Sequence, residues 1–141
     1  MQNIIKYVTH CYIAAMADLP GTYSWGSTSS QTGTSTIFGT GKTNTDFMFT
    51  LSAAPAAQAC TSYVVKQYTD WFLPSIDEMD TLYQALRNNP GALTINEKYW
   101  SSSEFSKIHA YYYIIDKKGS PKKGNEQRAN KAFLVRPMRK F

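Results

Sequence analysis

The run Asp70-Trp71-Phe72-Leu73-Pro74-Ser75-Ile76-Asp77-Glu78 decides how the rest of the chain is read. Ser75 followed three positions later by Glu78 is a capping box: the hydroxyl accepts from the first helical turn while the carboxylate reaches back to the cap. Asp77 and Glu78 also put negative charge where the helix dipole favours it. Capping therefore accounts for both acids, and they are not read as a glycosidase pair. Ile76, Met79, Leu82, Tyr83 and Leu86 recur at spacings of three and four, which predicts a helix over 76–88, ended by Asn88-Asn89-Pro90-Gly91.

Beyond this helix the period changes. Tyr99–Ser103, Ala110–Asp116 and Ala132–Met138 read as strands, with a Lys/Gly turn before the last of them. On the other side, seventeen of the twenty-four residues from Thr22 to Thr45 are Ser, Thr or Gly, a loop composition. Tyr23, Trp25 and the Ile37-Phe38 pair predict that this loop packs down. Asn44 or Thr45 is placed to cap a helix starting near Asp46, and after Pro55 the segment Ala56–Val65 repeats apolar residues at helical spacing. His10–Met16 reads as a short buried strand. Helices in the middle with antiparallel strands behind them define an α+β class.

Composition narrows the function. The chain has 141 residues, 43% of them hydrophobic and 18% charged, which is enough to fold around one core as a single domain, 1–141. No run approaches the ~20 apolar residues of a membrane span. Two Cys and two His show no zinc spacing, so neither a metal nor another cofactor is expected. Cys11 and Cys60 would form a disulfide in an exported domain and two buried thiols in a reduced one. His10 adjoins Cys11, but neighbours on a strand face opposite sides, and His109 reads as a packed or surface residue. Gly39-Thr40-Gly41-Lys42-Thr43 resembles part of a phosphate loop, and Tyr112–Asp116 the strand of a magnesium-binding Asp. Thr36 stands where the full loop motif needs Gly, and no buried strand precedes it, so the match reads as chance. No catalytic residue is assigned. Residues 4–17 imitate a signal peptide ending at Ala15-Met16-Ala17, yet no basic n-region leads them and Lys6, Thr9 and His10 interrupt the run. They read as the first strand of a mature domain without an export signal of its own, either whole or the C-terminal part of a longer surface protein.

Charge is unevenly placed. From Lys107 to Phe141 ten basic residues face only Asp116 and Glu126, a net of +8, whereas residues 1–106 carry five basic and eight acidic residues, a net of −3. Such asymmetry points to an anionic partner. Tyr111, Tyr112 and Tyr113, with Tyr99 and Trp100, put aromatics on both faces of the strands, one for the core and one for stacking on sugars or bases.

Three blocks, in order and at consistent spacing, carry a family resemblance: Asp70–Ser75 with Glu78, Tyr99-Trp100-Ser101-Ser102-Ser103-Glu104-Phe105, and Val135-Arg136-Pro137-Met138-Arg139-Lys140-Phe141. With Gly39–Thr45 before them, they resemble the C-terminal domain family of the Legionella collagen-like adhesin over residues 10–141. The resemblance implies a C-type-lectin-like fold, with two main helices on a twisted antiparallel sheet and long irregular loops, related to the formylglycine-generating enzyme and to phage receptor-binding proteins. It implies extracellular recognition, a trimer that binds sulfated glycosaminoglycans in the adhesin itself, Trp71 and Trp100 in the core, and Arg136 as a partly buried ion-pair or hydrogen-bond donor. The calcium-lectin signature of paired carboxylates is absent, and so is an identifiable Cys for formylglycine chemistry.

The expectation is a non-enzymatic recognition domain at a bacterial cell or virion surface, binding an anionic glycan through the loop Lys117–Lys131. Lys117, Lys118, Lys122, Lys123, Arg128 and Lys131 would supply charge, and Tyr111, Tyr112 and Tyr113 stacking. The alternative is an assembly module of a phage fibre or surface filament, with the aromatics in protein contacts and the chain in a homotrimer. Direct nucleic-acid binding is disfavoured because no recognition motif accompanies the charge.

Overall fold

The computed structural model describes residues 12–88 and 91–140. In chain order the elements are β1 (Tyr12–Ala14), β2 (Tyr23–Ser24), α1 (Gly41–Met48), α2 (Pro55–Thr61), α3 (Ile76–Leu86), β3 (Lys98–Glu104), β4 (His109–Ile115), β5 (Pro121–Gln127), β6 (Ala132–Phe133) and β7 (Met138–Lys140). The class is α+β with antiparallel sheets: β3-β4-β5 is a three-stranded sheet, while β1 pairs with β7 and β2 with β6. The first of these two-stranded sheets sets Tyr12 opposite Lys140.

Helix α3 forms as its capping box dictates: Ser75 Oγ accepts from Glu78 N, and the Glu78 carboxylate accepts from Ser75 N at 2.8 Å. Among the described residues three helices stand, one near each stretch read as helical, where the resemblance implied two main ones. The first begins at Gly41 instead of near Asp46, so Asn44 and Thr45 lie inside it and cap nothing. Their side chains tie loops together instead. Asn44 Nδ2 donates to Ser35 O and Ser102 Oγ, and Thr45 Oγ1 accepts from Leu73 N at 2.9 Å. Helix α2 ends at Thr61, short of the expected Val65, which instead bridges to Tyr68.

The strand read across Ala132–Met138 is two strands separated by Leu134–Pro137. Here the chain leaves β2 and crosses to β1, and Ala15 N donates to the carbonyl of Pro137. The Lys/Gly loop is also more regular than expected. Asp116 Oδ1 accepts from Lys118 N and Ser120 N, closing a tight turn with Gly119 at φ +85, and Pro121–Gln127 then runs as an edge strand against β4.

Alternation along β3 and β4 divides the interior in two. Tyr99, Tyr113 and Ile115 pack with Ile76, Met79, Leu82 and Leu86 of α3. Trp100 and Ala110 pack oppositely with Trp25, Met48, Ala56, Ala57, Cys60 and Val135. Trp71 is buried with Ile13 and Ala15 in a smaller cluster. Cys60 is a buried free thiol whose pKa burial pushes up; Cys11 and His10 lie outside the described residues, as does most of the signal-like stretch.

Candidate functional site

The basic C-terminal third is not a field of free cations. Arg128 is fully buried: its guanidinium pairs with Glu104 and donates to the carbonyls of Ser27, Ser30 and Ser106. Arg136 donates to Asp18 Oδ1 through Nε at 3.0 Å and Nη2 at 2.8 Å, and to Gly91 O, while the Tyr99 hydroxyl donates to the same Asp18 carboxylate. Arg139 pairs with Asp70 at 2.6 Å and lies over the Tyr68 ring. Burial tends to raise the Glu104 pKa, but hydrogen bonds from Thr32 N, Arg128 and Gly33 N outweigh it and hold the carboxyl below its ordinary value. The Arg139 hydrogen bond holds Asp70 low against a smaller effect of burial. Three arginines of the basic segment are thus answered by three acids from the first 106 residues, and folding cancels much of the asymmetry seen in the sequence.

Two predicted ligand residues are therefore corrected. Arg128 has no exposed surface, because its five donors satisfy a buried carboxylate and three carbonyls. Tyr113 is also fully buried against α3; its hydroxyl donates to Asp80, and burial pushes its pKa up. Lys123 is exposed but engaged, 2.7 Å from Asp80 and 3.4 Å from Asp77. Burial would lower its pKa, yet Asp80 and then Asp77 raise it.

The remaining predicted residues divide between the two faces of the β3-β4-β5 sheet and its turn. Tyr111 is half-buried, edge-on to Phe105 on the α3 side. Lys117 and Lys118 project from the β4–β5 turn. On the opposite face, register places Lys98, Ile114 and Lys122 in one row and Trp100, Tyr112 and Gly124 in the next. Tyr112 lies across Gly124, where an added Cβ would come within 2.5 Å of the ring, so only glycine leaves the ring its place. Phe133 packs on Trp100 at 4.4 Å and edge-on to Tyr112 at 5.7 Å. Lys98 Nζ stands 4.7 Å from the Tyr112 centroid and 5.4 Å from that of Phe133, and Lys131 is exposed just before β6. Lys122 remains 66% exposed despite a 3.3 Å contact with Asp116, and so is free to take another anion.

This aromatic pair, with Lys98 over it, Lys122 in the adjoining row and Lys131 two residues before Phe133, is the candidate site. Lys98 and Phe133 escaped the sequence reading: one lies just before the strand read from Tyr99, the other sits in a strand read as continuous. The signal for Lys98 was its place two residues before Trp100, which puts it on that residue's face. Among the described residues no His/Cys/Asp/Glu group is arranged to hold a metal ion, and no helix is long and apolar enough to cross a membrane.

The family model described as Lcl C-terminal domain matches residues 14–139, and the chain belongs to that family, which is associated with adhesins and is not a known enzyme family. No curated protein and no solved structure matches the chain. The Gly39–Thr45 stretch thereby has a structural account: Gly39 N donates to Glu78, Gly41 packs against Phe72, and Asn44 and Thr45 hold neighbouring loops.

Proposed function

We propose that the chain is one C-type-lectin-like recognition domain, 1–141, displayed at a cell or virion surface and binding an anionic glycan without catalysis. The observation that carries this reading is the aromatic pair Tyr112–Phe133 with Lys98 over it, Lys122 in the adjoining row, Lys131 two residues before Phe133, and Lys117 and Lys118 at the adjoining turn. Exposed ammonium groups bind sulfate or carboxylate as point charges, and flat rings take the apolar face of a sugar. Lys122 and Lys131 keep the role expected of them, whereas Lys123 serves the sheet–helix contact.

The test is retention on a heparin column. Replacing Lys117, Lys118 and Lys122 with Glu is expected to abolish retention, and Lys123→Gln to leave it nearly unchanged. Retention that survives the triple change overturns the reading. A second reading, an assembly module in a trimeric fibre or filament, draws on Phe105 and Ile108, 51% and 53% exposed beside the β3–β4 turn. Light scattering on the purified domain discriminates: a stable trimer without heparin affinity favours assembly, and a monomer removes it.

A further inference from the structure

A cavity of about 290 Å³ opens beside Phe133, where the start of β3 meets β6 and the residues before β2. Its walls are fixed by backbone: Leu134 N donates to Lys98 O at 3.1 Å, and Trp100 N to Leu134 O at 3.0 Å. Register also sets Phe133 opposite Tyr23, so β2 supports it from the other side. The cavity combines one aromatic wall, Phe133, with Thr22, Asn96, Glu97 and Lys98. Those four groups offer a hydroxyl, an amide, a carboxylate and an ammonium, a mixed set of donors and acceptors rather than a uniformly cationic one.

We infer that this cavity is a subsite for a single neutral pyranose ring. Its C–H face stacks on Phe133, and its hydroxyls donate to Glu97 and bond with Asn96, Thr22 and Lys98. Neutrality follows from the local charges. Glu97 at the cavity repels an acidic substituent. Lys98 balances Glu97 at the cavity, one ammonium to one carboxylate, while its Nζ lies 4.7 Å from the Tyr112 centroid and 5.4 Å from that of Phe133. A carboxylate or sulfate is better served at Lys117, Lys118 and Lys122, outside the cavity. The domain so built reads two chemistries side by side; the subsite shares Phe133 and Lys98 with the anionic reading, and salt dependence separates the two.

The test is an amide-resolved NMR titration of the purified domain with the methyl pyranosides of glucose, galactose and mannose, at low and high salt. At least one is expected to shift amides at 96–98 and 132–134, with an affinity that salt leaves unchanged. Glu97→Ala removes a hydroxyl acceptor and Ala132→Arg fills the exposed mouth; each is expected to weaken binding about tenfold. Both positions are exposed and away from the core, so loss of fold does not confuse the result. The inference is overturned if all three sugars leave these amides unmoved, if both variants bind as the parent does, or if salt abolishes binding. Heparin retention without pyranoside binding overturns the subsite alone; pyranoside binding without heparin retention overturns the anionic reading alone.

Discussion

Arg128 sits where a sequence reader expects a ligand-binding cation and performs a structural task. Its planar fork matches a carboxylate and carbonyls in a fixed geometry that Lys cannot reproduce. Removing it leaves Glu104, whose side chain is only 5% exposed, without its counter-charge and held by Thr32 N and Gly33 N alone. Arg128→Ala is therefore expected to cost about 3–5 kcal/mol in urea unfolding. The same pair sets an acid limit. Because the folded Glu104 pKa lies below its ordinary 4.5, its contribution is present above that pH and is lost as pH falls below it. Glu78 has the opposite sign: burial raises its pKa, so its contribution is full below 4.5 and declines as pH rises through the folded value. Glu104→Gln should lower stability at neutral pH and flatten its fall in acid, measured by urea unfolding from about pH 3 to about pH 7. At Gly41, an added Cβ would collide with the Glu78 carboxylate and come within 2.6 Å of the Phe72 ring. Gly41→Ala should cost roughly 1–3 kcal/mol by overpacking. The burial of Arg128 and Arg139 was only faintly legible: each is Arg where the exposed turn uses Lys, but their acids lie 24 and 69 positions away; Arg136 was expected in such a pair from the resemblance, and its acid lies 118 positions away.

Among elements, legibility followed locality. The α3 start was readable because cap, charges and apolar spacing all lie within a dozen residues, and Ser75→Ala is expected to destabilise the domain by about 1 kcal/mol, again by urea unfolding. Strand β5 was not readable. Pro121-Lys122-Lys123-Gly124-Asn125-Glu126-Gln127 has no apolar alternation, because an edge strand buries little and its Pro and Lys discourage pairing with another chain. The break between β6 and β7 was hidden for a different reason: Leu134–Val135 remains apolar while changing partners, and partner choice is a long-range matter.

At the scale of the whole molecule, the sequence conveyed the α+β class, the family and the candidate residues Tyr112, Lys117, Lys118, Lys122 and Lys131, while Lys98 and Phe133 joined them only through strand register. Lys98, Tyr112 and Phe133 meet because three separate strands align, and no spacing in the sequence records that. The uneven charge likewise describes how the two ends of the chain attract one another as much as any partner. A chain shortened to residues 1–134 loses β7 together with the Arg136 and Arg139 ion pairs, and is expected to lose its near-ultraviolet circular dichroism.

The pairing of Tyr12 with Lys140 has a mechanical consequence. Tension applied between these two points loads the β1–β7 ladder in peeling geometry, so its hydrogen bonds yield one after another rather than together. Insertion into a stretched chain would therefore make β1–β7 the first place to open.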